Sequence, residues 1–191
     1  MDLKADDFAL EILEKKKNGY YVELGSAGPI EGNTTYQLET DYDWTGVSFD
    51  FDEENAASFN EIRKNPCIAE DAIKFNYAKY FEENNFPKQI DYLQVDIDTQ
   101  YSAGGRPLGN PASSLLGLIA LPLTTYRFSV INFEHDAQIH YKLGNIRDTQ
   151  REILDALGYS LVQRHLHEDW WVDPEVIHYM DYRKYFFFAA P

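Results

Sequence analysis

Four carboxylates recur at one kind of place in this chain, at or beside the end of a short apolar run. Glu23 falls one residue inside the end of residues 20–24, Asp50 follows 44–49, Asp71 comes just past 67–69, and Asp96 follows 90–95. A carboxylate accepts hydrogen bonds from hydroxyl and amino groups and attracts cations. An acid after the second run suits the two hydroxyls of a ribose. Asp71 could accept from an adenine amino group, and Glu23 and Asp96 favour a ligand that carries positive charge. The first run opens into Gly25-Ser26-Ala27-Gly28, and Asn33-Thr34-Thr35 follows Gly32. Gly25 and Gly28 let a ligand approach bare backbone, and free N–H groups at a helix start favour a carboxylate or phosphate. The Gly-x-x-Gly spacing is neither the dinucleotide fingerprint nor a phosphate-cradling loop, which would need Gly-Lys-Ser/Thr. Taken alone, the loop also reads as an ordinary strand-to-helix turn.

The elements that must hold these acids alternate. Residues 20–24 read as a strand, and 33–35 can cap a helix continuing through 36–38. Residues 44–49 form a second strand. Asp52 caps a helix over 53–64, which Asn65-Pro66 stops. Residues 67–69 form a third strand, a helix lies near 77–83, and 90–95 form a fourth strand. Beyond it, residues 99–125 lose periodicity, with a Gly-rich stretch at 104–111 placed to cover the strand ends and a short helix over 113–121. Residues 127–133 form a fifth strand, ending in Glu134-His135-Asp136. Ile146, Ile153, Leu154 and Leu157 stripe a helix closed by Gly158, and residues 159–162 and 185–188 read as further strands. Ahead of all this, Phe8, Ile12 and Leu13 mark one face of a helix within 1–18. Lys15, Lys16 and Lys17 fall in its last turn, and Gly19 can close it. Alternation of this kind builds a parallel sheet with helices on both faces, and ligands bind beyond the carboxyl ends of its strands.

Composition narrows the ligand. The 191 residues support one domain over 1–191 with its own core. A net charge of −15 argues against nucleic acid and against an anionic membrane surface. The single cysteine, Cys67, cannot form an internal disulfide; it reads as a small buried residue and points to a reducing, cytoplasmic setting. The acidic N-terminus lacks a signal core, and the longest apolar run, 115–123, is too short to span a bilayer and contains Pro122. Four strand-end acids without a basic partner would repel the pyrophosphate of NAD. S-adenosylmethionine carries a ribose, an adenine, an ammonium and a sulfonium, and so suits the same acids.

Several segments together resemble class I S-adenosylmethionine-dependent methyltransferases, and more narrowly the FkbM-like family. Residues 22–28 with 32–35 are similar to the family's cofactor loop. Residues 46–50 are similar to its second strand, with Asp50 where Glu is usual. Residues 91–98 are similar to its fourth-strand motif, with Asp98 where Glu is commoner. Residues 133–136, 151–159 and 168–172 resemble later family segments, so the likeness spans nearly everything beyond Gly19. The resemblance implies a three-layer, Rossmann-like α/β methyltransferase fold, whose mostly parallel seven-stranded sheet has its last strand antiparallel. It implies contacts from Glu23, Gly25, Ser26, Gly28 and Asn33 to the methionine part. It also implies Asp50 with Phe51 on the ribose side, Asp71 with Ala72 near the adenine, and Asp96 near the amino group. The implied activity is O-methylation of a hydroxyl on a sugar or other small-molecule or glycan acceptor. The 99–111 loop would shape acceptor choice, and a homodimer is compatible with this reading.

For methyl transfer to a hydroxyl, Asp98 and His135 are the candidate bases. His135 also reads as a histidine bonded to neighbouring Glu134 or Asp136. Asp96, Asp98, Glu134, His135 and Asp136 offer oxygen-rich ligands that would suit magnesium, but the favoured reading needs no metal. His165, His167 and Asp169 beside Trp170 and Trp171 read as surface or lid residues rather than a metal set. The competing readings are a methyltransferase-fold binding or scaffold protein without chemistry, and an NAD-linked oxidoreductase, which the loop spacing disfavours.

Overall fold

A computed structural model describes residues 4–97, 110–138 and 143–186. Asp98, the Gly-rich stretch through residue 109, Phe187 and Phe188 lie outside the described residues. Among those described, seven strands form one sheet. In chain order they are β1 (Tyr20–Leu24), β2 (Thr45–Phe49), β3 (Cys67–Ile68), β4 (Gln89–Val95), β5 (Arg127–Glu134), β6 (Ser160–Arg164) and β7 (Glu168–Val172). Their order across the sheet is β3-β2-β1-β4-β5-β7-β6. The pairings from β3 through β5 are parallel, and β7 is inserted antiparallel between β5 and β6. The expected mostly parallel sheet with an antiparallel last strand is what the chain forms.

Helices α1 (Ala5–Ile12), α2 (Tyr36–Tyr42), α3 (Glu53–Ile62), α4 (Tyr77–Glu83), α5 (Ser113–Ala120), α6 (Leu143–Ala156) and α7 (Tyr179–Tyr182) flank the sheet. One face packs Val22, Leu24, Leu93, Val95, Ile131 and Phe133 against Phe81, Leu118 and Leu154 of α4, α5 and α6. The other packs Tyr21, Tyr92, Val130, Trp170 and Val172 against Phe8 of α1, Leu38 of α2 and Tyr182 of α7. Asp52 caps α3 as expected, its Oδ1 accepting from the N–H groups of Glu54 and Asn55. Gly158, at φ +83°, follows α6. No helix of the described residues is long and apolar enough to cross a membrane.

Four expectations are corrected. The N-terminal helix ends at Ile12, Glu14 and Lys15 take left-handed backbone, and Lys15, Lys16 and Lys17 lie beyond it. Lys16 instead reaches Asp91 at 2.7 Å, and Gly19 makes room for the Trp44 ring rather than closing the helix. Of the strand expected over 185–188, Tyr185 ends a short 3-10 turn (Arg183–Tyr185) and Phe186 is in no strand, while Phe187 and Phe188 lie outside the described residues. The antiparallel place in the sheet belongs to β7, so Asp169 is buried there beside Trp170 and Trp171 and is not a surface or lid residue. Burying Asp169 is possible because Arg151 Nε and Nη2 each donate to it at 2.7 Å, and Gln150 Nε2 donates at 2.5 Å.

Candidate functional site

The carboxyl ends of β1, β2 and β4 are stitched together before any ligand need arrive. Gly25 N–H and Ser26 N–H both donate to Phe49 O, at 2.9 and 3.1 Å, and Asp96 N–H donates to Leu24 O at 2.8 Å. Gly25 sits at φ +86°, and a Cβ there would lie 1.8 Å from the Asp96 carbonyl oxygen. Glycine is therefore required twice over, by conformation and by space. Ala27 is left-handed as well, at φ +46°, and its N–H donates to Asp50 Oδ2 at 3.0 Å. A non-glycine residue held in this region stores local strain, which tends to persist where a site is preorganised. Around Gly28 the space is open: a Cβ added there would meet nothing nearer than Glu31 O, at 3.7 Å.

Beneath the loop a buried polar row crosses the sheet. Ser48, Glu23, Gln94 and Asn132 are successive partners in register on β2, β1, β4 and β5. All four are buried. Glu23, 2% exposed, accepts from Ser48 Oγ at 2.6 Å, Asn33 Nδ2 at 3.0 Å and Thr35 Oγ1 at 3.2 Å. Burial pushes its carboxyl up to about 7 despite these donors. Asn33 also donates to Ser26 O at 3.2 Å, and its Oδ1 accepts from Thr35 N–H at 3.0 Å. Both residues thus hold the loop's shape through contacts inside the protein. Ser26, also buried, lies with its Oγ 3.3 Å from Cys67 Sγ. Gln94 Oε1 accepts from Tyr92 Oη at 2.7 Å and Asn132 Nδ2 at 2.9 Å.

One step further along the strands the side chains turn acidic and reach the sheet edge. Asp50 is half-buried, and its two oxygens accept from Ala27 N–H and from Asp52 N–H, at 3.0 and 2.8 Å. A carboxylate has roughly four lone-pair sites, so Asp50 can still accept from a ligand. Phe51 beside it is 81% exposed. Asp71 accepts from Ile73 N–H at 3.0 Å and Lys74 Nζ at 2.6 Å, and the Lys74 hydrogen bond, then that of Ile73, holds its carboxyl below the usual range. The Ala72 carbonyl accepts from Tyr77 Oη at 2.6 Å.

On the neighbouring strands, Glu134 of β5 faces Glu168 of β7 in register. Burial, then the adjacent Asp96 carboxylate, hold Glu134 well above the usual carboxylate range, so that it keeps its proton beside Asp96. Glu168 accepts from Asn132 Nδ2 and Trp170 Nε1, each at 2.8 Å. Like charges directly opposite across a ladder are destabilising. A shared proton relieves this arrangement, and a bound cation would relieve it too.

His135 follows β5 but its ring turns inward. It is 4% exposed; Nδ1 accepts from Ala137 N–H at 3.1 Å, and Nε2 lies 3.8 Å from Asp169 Oδ1, too far for a hydrogen bond. Burial alone would raise Asp169, but the Arg151 guanidinium bonded to it at 2.7 Å outweighs this and holds the carboxyl low. Among the described residues no group of three or more His, Cys, Asp or Glu is placed to hold a metal ion. His167 pairs with Gln138 through Nδ1 at 2.7 Å, and His165 packs its ring on Trp170.

The structure thus brings Glu23, Gly25, Ser26, Asn33, Asp50 and Asp96 together at the β1–β2–β4 ends, with Glu134 beside them. Asp71 and Ala72 stand at the outer, β3 side of the same edge. Sequence reasoning missed Arg63, Glu39, Gln94, Asn132 and Glu168. Their only sequence signal is polarity inside or beside apolar runs, which surface residues share.

The chain matches no protein-family model and no curated protein sequence. Solved structures do match its shape. The N-methyltransferase NodS from Bradyrhizobium japonicum WM9 aligns with a TM-score of 0.51 at 14% identity, covering 87% of this chain and 90% of that one. An O-methyltransferase from Bacillus cereus, solved in complex with SAH, aligns with a TM-score of 0.51 at 16% identity, covering 90% of this chain and 80% of the other. Fibrillarin from Aeropyrum pernix, solved with natively bound S-adenosyl-L-methionine, gives 0.51 at 13% identity, covering 82% of this chain and 67% of the other. Identities this low speak to architecture, and on that level the strand order and the antiparallel β7 agree: the chain has the Rossmann-like methyltransferase fold.

Proposed function

We propose that the protein is an S-adenosylmethionine-dependent methyltransferase acting on a hydroxyl of a sugar or other small-molecule or glycan acceptor. The observation that carries this reading is Asp50. It ties the glycine loop to the start of α3 through two backbone N–H groups, yet keeps acceptor capacity at the sheet edge beside an exposed Phe51. That combination suits a ribose with an adenine lying against the aromatic ring. The protonated Glu134–Asp96 pair suits the cationic amino acid part of the same ligand. The solved neighbours named above include enzymes holding S-adenosylmethionine or its demethylated product. Oxygen as the methyl acceptor rests on the FkbM-like resemblance of residues 91–98 and 133–136; the fold is shared with a nitrogen methylase.

When bound, the cofactor supplies an electrophilic methyl on a sulfonium. The protein's part is to orient the two reactants and to take a proton from the acceptor. Asp98 is proposed as that base and lies outside the described residues. His135, with Nδ1 engaged and Nε2 turned to Asp169, is better suited to holding the β5 and β7 ends in place than to meeting substrate.

Calorimetric titration with S-adenosylmethionine, S-adenosylhomocysteine and NAD tests the reading. Micromolar binding of the first two and none of NAD is expected. Asp50→Ala should weaken binding about a hundredfold, because a hydrogen bond to a charged group contributes about 1.5–3 kcal/mol and two ribose hydroxyls are at stake. Absence of binding by the wild type, or binding indifferent to Asp50, would overturn it. The same titration carries a second expectation. A cation arriving beside Asp96 and Glu134 should displace the proton they share, so that up to about one proton is released per cofactor bound and affinity rises with pH. Buffers of different ionisation enthalpy read this release directly, and Glu134→Gln should abolish it.

A further inference from the structure

Arg63 is the residue immediately after α3, and its side chain is almost wholly buried in a strongly acidic chain. It does not point at the sheet edge. It runs behind the loop, over the Phe59 ring with its guanidinium carbon 4.6 Å from the ring centre. One terminal nitrogen donates to Pro29 O at 2.9 Å and Asn33 Oδ1 at 3.0 Å. The other donates to Thr35 Oγ1 at 3.2 Å and Tyr21 Oη at 3.3 Å, and lies 3.1 Å from Glu39 Oε2. Glu39 in turn accepts from the N–H groups of Lys64 and Asn65, just past α3. Thus one planar fork joins β1, the far side of the glycine loop, the start of α2 and the end of α3.

The contacts are unevenly distributed, and that carries the inference. Loop residues 26–29 make few bonds of their own beyond the Ser26 and Ala27 contacts at the near end. At the far end the loop is gripped through Pro29 O and Asn33 Oδ1, and both bonds come from the same Arg63 nitrogen. Asn33 is also the group that donates to Glu23 and to Ser26 O. We infer that Arg63 is a positioning residue for the cofactor's amino acid moiety, fixing the glycine loop from behind without touching the ligand. This rests on the methyltransferase reading given above. The same helix begins at Asp52, next to the proposed ribose acid Asp50, so α3 spans from one half of the ligand site to the support of the other.

A guanidinium is needed because one group must serve several acceptors in two directions. An ammonium of the same charge is a point donor on a flexible stem and cannot reproduce the fork. Arg63→Lys keeps the ion pair with Glu39 within reach and so separates charge from geometry. Three readouts apply to it: melting temperature, amide exchange of residues 26–34 in ligand-free protein, and affinities for S-adenosylmethionine and for 5′-methylthioadenosine, which lacks the amino acid part. The folded state should survive, exchange in 26–34 should quicken, and S-adenosylmethionine affinity should fall about tenfold, in line with one lost charged hydrogen bond. Affinity for 5′-methylthioadenosine should stay within about twofold of wild type, since its contacts are at Asp50. Equal losses for both ligands, or wild-type behaviour of Arg63→Lys in exchange and affinity, would overturn the inference. Arg63→Met, which strands Glu39, serves as the harsher variant and should show the same ligand asymmetry if it folds. Should wild type bind neither ligand, the methyltransferase reading fails, and unchanged exchange in 26–34 would still refute the loop-holding role on its own.

Discussion

Gly25→Ala is expected to lower the melting temperature by about 5–15 °C and to abolish cofactor binding. Two costs combine. Left-handed backbone costs a residue with a Cβ about 1–2 kcal/mol. The new methyl would lie 1.8 Å from the Asp96 carbonyl oxygen, which is backbone and is itself fixed because Asp96 N–H bonds to Leu24 O. Relief requires prising β1 from β4 at the ends of the sheet, an overpacking cost of about 1–3 kcal/mol. In a domain of this size each kcal/mol moves the midpoint by about 2–4 °C. Gly28→Ala is the control, because the space at Gly28 is open and its φ is not in the left-handed region. It should fold and melt like the wild type. A Gly25→Ala protein that melts with the wild type would mean that the β1–β4 junction yields freely, and the case for a preorganised loop would go with it.

Glu23→Gln should change how stability responds to pH. The carboxyl titrates near its ordinary value, 4.5, in the unfolded chain and at about 7 in the folded one, because burial disfavours its charged form. Between those values the folded protein holds the proton more tightly. Its contribution is complete below about pH 4.5, is lost as pH rises through the window, and is gone above about pH 7. A tenfold difference in proton affinity corresponds to about 1.36 kcal/mol, so the loss is on the order of 3 kcal/mol. Glutamine keeps the shape and removes the titration. Its oxygen can accept from Asn33, while the Ser48 and Thr35 hydroxyls turn to accept from its amide. Urea midpoints at pH 5 and pH 8 would show the wild type losing stability relative to the variant at the higher pH. A pH-independent difference would remove Glu23 as the source.

Much of this layout could be read from the chain. The strand-end acids were legible because alternation of strands and helices fixes which end of each strand faces a ligand. α4 and the Asp52 cap of α3 were legible because their signals are local. β7 was not legible as a core strand from pattern alone. Glu168-Asp169-Trp170-Trp171-Val172 places a charge at a fully buried position, and only the distant Arg151 and Gln150 make that tolerable. The aromatic run at 185–188 looked more like a strand than the true one did. The same limit applies at the site. Sequence places Glu23 and Asn33 at the right edge, but their donors and acceptors, Ser48, Thr35 and Arg63, come from other elements. Which acids serve the ligand and which serve the fold is decided by those tertiary partners.

The β1–β4 pairing also sets an order of events during synthesis. Tyr20 N–H bonds to Asp91 across 71 residues, and the loop at Gly25 takes its shape against a backbone oxygen equally far along the chain. A ribosome adding about 5–20 residues per second therefore exposes the loop for several seconds before its mould emerges. Closing so long a segment must precede any contact that rewards it. Nascent chains released before Asp96 should lack a competent ligand site however well their first strands and helices have formed. Competence cannot precede the fourth strand, and it waits further on β5, which brings Glu134 to Asp96.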